Sequence, residues 1–470
     1  MPTLMDPTST GFLFAENRNQ PMHVGGLQLF HKPEGAGRNF VKDLYEEMLT
    51  YDQPAPLFLR RPTRSLTTAG QWFWTEDDQF DVEYHFRHSA LPKPGRVREL
   101  LELCGRLHST RLALERPLWE VHLIEGLRDG RVAMYTKMHH ALVDGVSSMQ
   151  LLQRVLSQDP DDLDMAPMWA SAHAGSRSEE KSTASNGGGS LADLSAAALR
   201  TALGISAEAA GLPAALIKTL THGVRNETSA VSLYAPRTIF NKNITGARRF
   251  AAQDWPMERI QAVGKATGTT LNDVVLAMCS GAVRTYLTEL DALPDSSLVA
   301  MVPVGLHAKQ SQDASANGGN AVGAVMVKLG TQHADPADRL ASVHESMITG
   351  KQALGSMTPA QILAMSALGM APAVLAPMLR LQGITRPPFN LIISNVPGPR
   401  KTHYFRGSRL EGVYPLSIPI NGMALNITCT SYDGQLDFGL TGCRRTVPRL
   451  QRLLPHLDAE LTALEKAAAV

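Results

Sequence analysis

The stretch HHALVDG at 139–145 combines residue types suited to acid–base chemistry. It follows an apolar run with strand-like alternation, so the two imidazoles are expected on opposite faces. We expect His140 on the inward, more apolar face and His139 pointing away from it. A neutral imidazole, with a pKa near about 6.5, can take a proton from a hydroxyl at neutral pH. Asp144 is expected to fix the loop or the ring, and Gly145 to let a helix start close by.

A metal site is one alternative for the histidine pair. Adjacent histidines on a strand cannot easily converge on one ion, and helical ligands would sit four residues apart, as in HExxH. The four cysteines form no CxxC pair and are expected to be buried, reduced thiols; they are Cys104, Cys279, Cys429 and Cys443. We therefore predict no metal site. A purely structural histidine pair is the other alternative, and the spacing to Asp-Gly favours the catalytic interpretation.

Two further segments carry polar residues at element ends. Thr270 and Asp273 have the form of a capping box, so a helix is expected from 271. Asn272 would then lie at a helix N-terminus, where its amide could donate to an oxyanion. Capping alone explains Asp273. Asn395 opens an NVPGP segment after the apolar run at 389–394, where the residues alone favour a rigid structural turn.

Composition excludes several classes of protein. The chain has 470 residues, 44% hydrophobic and 19% charged, which is an ordinary globular mixture. Its net charge of +1 provides no general field for nucleic acid, so we expect no nucleic-acid partner. The N-terminus lacks the pattern of a signal peptide. The longest uncharged stretch, 352–379, is broken by prolines and glycines, so a membrane-spanning helix is not expected.

The pattern of elements predicts a two-domain α/β protein with mixed sheets. Residues 158–190 are rich in Ser, Gly, Ala and acids and are interpreted as a flexible linker. The expected divisions are an N-terminal domain (1–157), this linker, a helical connector (191–228) and a C-terminal domain (229–470). Helices are expected at 40–49, 95–113, 146–156, 256–267, 271–288 and 447–467. Strands are expected at 121–125, 131–139, 389–394, 423–432 and 435–441.

At this point the sequence resembles a known family. HHALVDG is similar to the HHxxxDG motif of the coenzyme-A-dependent acyltransferase superfamily. Further blocks resemble the bacterial bifunctional wax ester synthase/acyl-CoA:diacylglycerol acyltransferases; they are PMHVGGLQLF (21–30), RPLWEVHLIEGL (116–127), LNDVVLAMCSGAVRTYL (271–287), NVPGP (395–399) and the segment 412–440. Three positions depart from the family pattern: Ser9 stands where an Asp is usual, His403-Tyr404 where Pro-Leu is frequent, and CRR (443–445) where Cys-Arg-Asp is common.

The resemblance implies two chloramphenicol-acetyltransferase-like domains with a tunnel between them. It implies O-acyl transfer from a long-chain acyl-CoA to a fatty alcohol or a diacylglycerol, with acyl-CoA as co-substrate and no other cofactor. His140 would be the general base, His139 its motif neighbour, Asp144 a residue that orients the loop, and Asn272 an oxyanion or substrate contact.

Substrate contacts are assigned to small or polar residues near the expected tunnel, namely Gly145, Gly355, Ala360 and Asn395. The segment 352–380 could equally be an ordinary pair of core helices or a surface that contacts lipid. Two alternatives stay open: a condensation-type enzyme with a carrier-bound donor, and a non-catalytic lipid-droplet-binding protein. The expected location is cytoplasmic, peripheral on the inner membrane face or on lipid droplets.

Overall fold

The computed structural model describes residues 2–64, 70–171, 235–305, 322–355 and 386–470. Within these ranges, two six-stranded mixed sheets and one three-stranded sheet are covered by helices. The helices are α1 (Pro7–Ala15), α2 (Phe40–Leu49), α3 (Pro56–Leu59), α4 (Val82–His85), α5 (Val97–Ser109), α6 (Gly145–Arg154), α7 (Met257–Thr267), α8 (Leu271–Thr288), α9 (Pro336–Gly355) and α10 (Leu453–Ala467). The strands are β1 (Thr3–Leu4), β2 (His23–His31), β3 (Arg60–Thr63), β4 (Phe73–Glu76), β5 (Phe86–Ala90), β6 (Trp119–Glu125), β7 (Val132–His139), β8 (Arg248–Pro256), β9 (Val299–Gly305), β10 (Val322–Lys328), β11 (Leu391–Val396), β12 (Tyr404–Phe405), β13 (Ser408–Leu416), β14 (Leu425–Tyr432) and β15 (Gln435–Cys443).

The first six-stranded sheet carries the two adjacent histidines. Its order is β12-β13-β2-β7-β6-β5, so β7 lies in the interior between β2 and β6. Alternate residues of β7 enter different apolar clusters: Val132 and Met138 lie in one, and Ala133 and Tyr135 in the other. Strand β7 is therefore buried on both faces.

The second sheet has the order β10-β9-β11-β14-β15-β8 and packs around the buried helix α8. The predicted capping box is confirmed. The Asp273 amide donates to the Thr270 hydroxyl at 3.2 Å, and the Thr270 amide donates to Asp273 Oδ2 at 2.9 Å. The hairpin between β14 and β15 is also confirmed, with positive φ at Asp433 (42°) and Gly434 (78°). Positive φ at both positions is what a two-residue type I′ turn requires.

Strands β12 and β13 correct the predicted division of the chain. They come from the C-terminal half, yet β13 pairs with β2 in the first sheet from Arg409 to Leu416. The predicted C-terminal domain, 229–470, therefore supplies two strands to the sheet of the N-terminal domain. Sequence patterning identifies strands but not which distant strand they pair with.

A buried carboxyl group joins the two sheets. The Val413 amide on β13 donates to Asp437 Oδ2 on β15 at 2.6 Å. Burial raises the pKa of Asp437 to about 8, and the hydrogen bond from Val413 opposes this rise only in part. The Asp437 side chain therefore stays protonated in the folded protein at neutral pH.

The predicted linker, 158–190, contains residues that pack on the first sheet. Met168 and Trp169 are buried in the apolar cluster of this sheet, and the Trp169 ring stacks on Trp119 with 5.5 Å between centroids. The Trp169 carbonyl also accepts from the Ala55 amide at 2.7 Å. The remainder of the predicted linker, the predicted connector 191–228 and most of the segment 352–380 lie outside the described residues.

Candidate active site

His140 lies one residue beyond the end of β7, in a turn that is closed by the N-terminal segment. Its amide donates to the Met22 carbonyl at 2.8 Å. The ring of Phe12, on α1, stacks on the imidazole with 4.2 Å between centroids and 22° between planes. Nδ1 of His140 is buried and has no hydrogen-bond partner among the described residues, so we assign contact with a ligand to Nε2.

The surroundings of His140 keep its imidazole neutral. Burial lowers its pKa below the ordinary value of 6.5, and the residue's own carbonyl and the charge of Asp144 oppose this shift only in part. Neutral imidazole is the form that accepts a proton. The imidazole of His140 is thus in the form that can accept a proton at neutral pH.

His139 is buried rather than turned away from the core, which corrects the prediction from strand alternation. Its side chain is 0% exposed, and it lies opposite His23 on β2. Nδ1 of His139 accepts from the Ala141 amide at 3.1 Å, and Nε2 lies 3.7 Å from Glu16 Oε1. The prediction failed because both faces of β7 are covered, so alternation separates two buried faces and not an inside from an outside.

Asp144 caps the helix that follows the histidines. It occupies the N-cap position of α6, and its Oδ1 accepts from the Ser147 amide at 2.6 Å. Gly145, the first residue of α6, is exposed and has open space where a side chain would begin. Asp144 therefore acts on the loop and not on the ring of His140 directly.

Helix α1 is the main part of the site that sequence reasoning missed. Asp6 caps it through the amides of Thr8 and Ser9, and the Ser9 hydroxyl donates to the Ala141 carbonyl at 2.7 Å. Ser9, noted in the sequence only as a departure from the family pattern, thus holds the histidine turn. The sequence of this helix, PTSTGFLFA, contains no charged residue. This was the available signal that the helix packs against other parts of the protein, because a helix without charged residues is usually buried on at least one side.

A layer of neutral histidines lies behind the turn. His23 Nε2 is 2.9 Å from the His108 carbonyl, and His108 Nδ1 is 2.8 Å from the Tyr135 hydroxyl. Burial lowers the pKa of His23 well below its ordinary value and that of His108 to about 3. Lys137 is also buried and donates to the Thr110 carbonyl at 2.8 Å and to Glu120 Oε2 at 3.2 Å. This layer fixes β2, β7 and the end of α5 behind the site.

Asn272 lies half-buried in the first turn of α8, where the sequence places it, but it forms no hydrogen bond with His140. Its neighbour Asp273 is buried and accepts from His344 Nδ1 on α9 at 2.8 Å, a partner that sequence reasoning did not identify. Asp273 therefore links α8 to α9 as well as capping α8.

The other predicted substrate contacts are dispersed. Asn395 lies near the end of β11, half-buried and opposite Cys429 on β14. Gly355 is the exposed last residue of α9, with no atom within 4 Å of where a side chain would begin. Ala360 lies outside the described residues. Asn395 and Gly355 thus lie on different elements, and neither forms a hydrogen bond with His140.

Two kinds of feature are absent from the described ranges. No group of three or more His, Cys, Asp or Glu side chains there could hold a metal ion. No helix there is both long and apolar enough to span a membrane.

Comparison with known proteins agrees with this geometry. A family model described as wax ester synthase/diacylglycerol acyltransferase catalytic domain matches residues 5–275, and the model of the WS/DGAT C-terminal domain matches residues 318–465. A probable diacylglycerol O-acyltransferase of Mycobacterium tuberculosis, tgs2, is 46% identical over 467 residues. A putative diacylglycerol O-acyltransferase of the same organism is 48% identical over 466 residues. Each alignment covers 99% of this chain and 100% of the relative.

Solved structures show the same relationship. The wax ester synthase/diacylglycerol acyltransferase from Marinobacter aquaeolei VT8 is 40% identical, with a TM-score of 0.76 and complete coverage of both chains. The first condensation domain of the CDA synthetase matches with a TM-score of 0.58 at 17% identity, covering 100% of this chain and 96% of that chain. At that identity the second match supports the fold alone.

The two mixed sheets and the buried histidine turn therefore define an acyltransferase with a chloramphenicol-acetyltransferase-like fold, as predicted. The chain belongs to the wax ester synthase/diacylglycerol acyltransferase family, and the resemblance seen in its sequence is confirmed.

Proposed function

We propose that the protein transfers a long-chain acyl group from acyl-CoA to the hydroxyl of a fatty alcohol or a diacylglycerol, with His140 as general base. The observation that carries this proposal is the environment of His140: burial keeps the imidazole neutral, Phe12 stacks on the ring, and Nδ1 is buried without a hydrogen-bond partner among the described residues. The names of the relatives support diacylglycerol as one acceptor.

The reaction needs a single proton carrier. Nε2 of His140 removes the hydroxyl proton as the acceptor oxygen attacks the thioester carbonyl. The tetrahedral oxyanion collapses, the carbon–sulfur bond breaks, and the imidazolium returns its proton to the coenzyme A thiolate. Asn272 remains our candidate donor to the oxyanion, and Gly145, Gly355, Ala360 and Asn395 remain candidate substrate contacts in a tunnel between the domains.

The cysteines support direct transfer without an acyl-enzyme. All four are buried. Burial raises the pKa of Cys104 and Cys429 and raises that of Cys279 to about 12. Cys443 has a lowered pKa of about 7, but its sulfur is enclosed in the C-terminal core and accepts hydrogen bonds there from Thr245 and Thr446. A buried thiol without access to substrate cannot act as the nucleophile.

A lipid surface is the proposed setting of the reaction. Apolar side chains are exposed on the two helices that flank the histidine turn: Phe14 on α1 is 67% exposed, and Val146 on α6 is 48% exposed. Such residues favour peripheral contact with lipid that delivers an apolar acceptor. Flotation with liposomes tests this, and binding that is unchanged when both residues are replaced by Ser would contradict it.

The central experiment measures thiol release from palmitoyl-CoA with hexadecanol, with a diacylglycerol, or with no acceptor. His140→Ala should lower acceptor-dependent release by about 10²–10⁴-fold. The matched control is His31→Ala, which removes an imidazole whose side chain is 43% exposed and should leave the rate unchanged. The better acceptor identifies the main product.

Other outcomes would contradict the proposal. Unchanged turnover of His140→Ala would mean that another group is the base or that the protein is not catalytic. A stable acyl–protein adduct after mixing with acyl-CoA alone, detected by intact mass, would exclude direct transfer. Transfer only from a carrier-bound donor would favour the condensation-type alternative.

A further inference from the structure

A carboxylate buried beside the histidine turn has no role in the proposed reaction so far. Glu16 ends helix α1, and its side chain is only 2% exposed. Its Oε1 accepts from the Met22 amide at 3.2 Å and lies 3.7 Å from Nε2 of His139. Oε2 has no hydrogen-bond partner among the described residues. A buried carboxylate is costly, so its position against His139 calls for a physical reason.

The hydrogen bond on the other side of the His139 ring determines where its proton lies. The Ala141 amide donates to Nδ1 at 3.1 Å, so Nδ1 must hold a lone pair. The single proton of the neutral ring is therefore on Nε2, the nitrogen that faces Glu16. The Glu16 oxygen stabilises this tautomer, because a proton on Nδ1 would break the bond to Ala141 and would place the lone pair of Nε2 against the lone pairs of Oε1.

The same short segment also holds the backbone of His140. Met22 donates its amide hydrogen to Glu16, and its carbonyl accepts from the His140 amide at 2.8 Å. Glu16 is thus connected to the catalytic turn by two routes. One runs through the His139 ring to the Ala141 amide, and the other through the Met22 peptide to the His140 amide.

We propose that Glu16 is a positioning residue for acyl transfer, which holds His139 in its Nε2–H tautomer and thereby fixes the turn that carries His140. This inference rests on the proposed function, since it assumes that His140 is the base. The separation of 3.7 Å between Nε2 of His139 and Oε1 of Glu16 is longer than a hydrogen bond, so the Glu16 oxygen acts on the ring by electrostatic attraction of its N–H group. Glu16 touches neither substrate nor the reacting atoms, so its effect is on the geometry of His140.

Two substitutions separate an acceptor role from a charge role. Glu16→Ala removes the acceptor and should lower kcat for acyl transfer by about 10–100-fold, because small displacements of a catalytic group have effects of this size. The KM for acyl-CoA should change less than about 3-fold, since no substrate contact is lost. Glu16→Gln retains an oxygen that can accept from both Met22 and His139, so its kcat should stay within about 5-fold of wild type.

Asp437→Asn is the matched control. It removes a comparably buried carboxyl group that lies between the two sheets and has no contact with the turn, and it should leave kcat unchanged. If Glu16→Ala leaves kcat unchanged, or if Glu16→Gln loses as much activity as Glu16→Ala, the proposed positioning role is wrong.

A second measurement does not depend on activity. Long-range ¹H–¹⁵N spectra of ¹⁵N-histidine-labelled protein report which ring nitrogen carries the proton, and His139→Gln assigns the signal. Wild type and Glu16→Gln should show His139 with the proton on Nε2, whereas Glu16→Ala should show exchange between tautomers. A wild-type ring protonated on Nδ1 would overturn the inference even if acyl transfer is observed. The expected tautomer together with inactive wild-type protein would instead contradict the proposed function.

Discussion

Replacing Asp144 tests whether this residue acts as a helix cap or as a catalytic partner of His140. Among the described residues its hydrogen bond goes to the Ser147 amide, at 2.6 Å, and it reaches the imidazole only through its charge. Losing an N-cap typically costs about 1 kcal/mol, within a range of about 0.5–2. If the whole of this free energy is lost from the active conformation of the histidine turn, Asp144→Ala lowers kcat about 5-fold, since about 1.4 kcal/mol corresponds to a factor of 10.

Asp144→Asn distinguishes the two roles, because Asn is as good a cap as Asp. If Asp144 acts only as an N-cap, Asp144→Asn should lower kcat by at most about 5-fold. This figure includes the lost interaction of a carboxylate with the helix dipole. A carboxylate that orients the ring, as in a serine protease triad, would cost about 10⁴-fold on the same substitution. The two interpretations thus differ by three orders of magnitude in kcat.

The pH dependence supplies a second readout of the same variant. The charge of Asp144 raises the pKa of His140 against the effect of burial, so removing it lowers that pKa further. The acid limb of kcat/KM should lie below 6.5 in wild type and move to lower pH in Asp144→Asn. The assay is thiol release from palmitoyl-CoA at saturating acceptor across the acid range. A loss of about 10³-fold or more in Asp144→Asn, or an acid limb that moves to higher pH, would refute the capping role.

Two further substitutions test the surroundings of His140 and the contact between the sheets. Phe12→Ala opens the stacked imidazole to water, so the pKa of His140 should rise toward 6.5 and the acid limb of the pH–rate profile should move with it. Phe12→Leu should shift this limb less. Identical pH–rate profiles for both variants and wild type would contradict this expectation. Asp437 keeps its proton to about pH 8 when folded but loses it near 3.8 when unfolded, so the free energy of unfolding falls as pH rises through this window. The free energy of unfolding of Asp437→Asn, measured with urea and compared with wild type, should therefore increase by about 2 kcal/mol between about pH 6 and about pH 8. If the difference between the two proteins does not depend on pH, Asp437 is already ionised.

Local signals predicted most of the elements that build the site. The helix at 40–49 is found as Phe40–Leu49, and the capping box at Thr270 begins α8 at the expected residue. The turn at Asp433-Gly434 forms the expected hairpin. These features depend on neighbours within a few residues, which is the range over which sequence patterns carry information.

Features that depend on distant segments were not predictable in this way. The burial of His139 requires segments on both faces of β7, and the pairing of β13 with β2 joins residues from opposite ends of the chain. Met168 and Trp169 lie in a stretch rich in Ser, Gly, Ala and acids, so average composition concealed that they pack. The contact between Asp273 and His344 joins two helices that are distant in sequence, so it was not predictable either.

The pairing of β13 with β2 has a consequence for synthesis of the protein. Strand β2 emerges early from the ribosome, but its partner at Ser408–Leu416 is made only after several hundred further residues. At about 5–20 residues per second, β2 waits tens of seconds with one edge unpaired. An open, apolar edge is prone to pair with other chains, so the nascent N-terminal half should be a client of chaperones. It also follows that a fragment ending before residue 408 would lack a strand of its own sheet and should be insoluble when expressed alone.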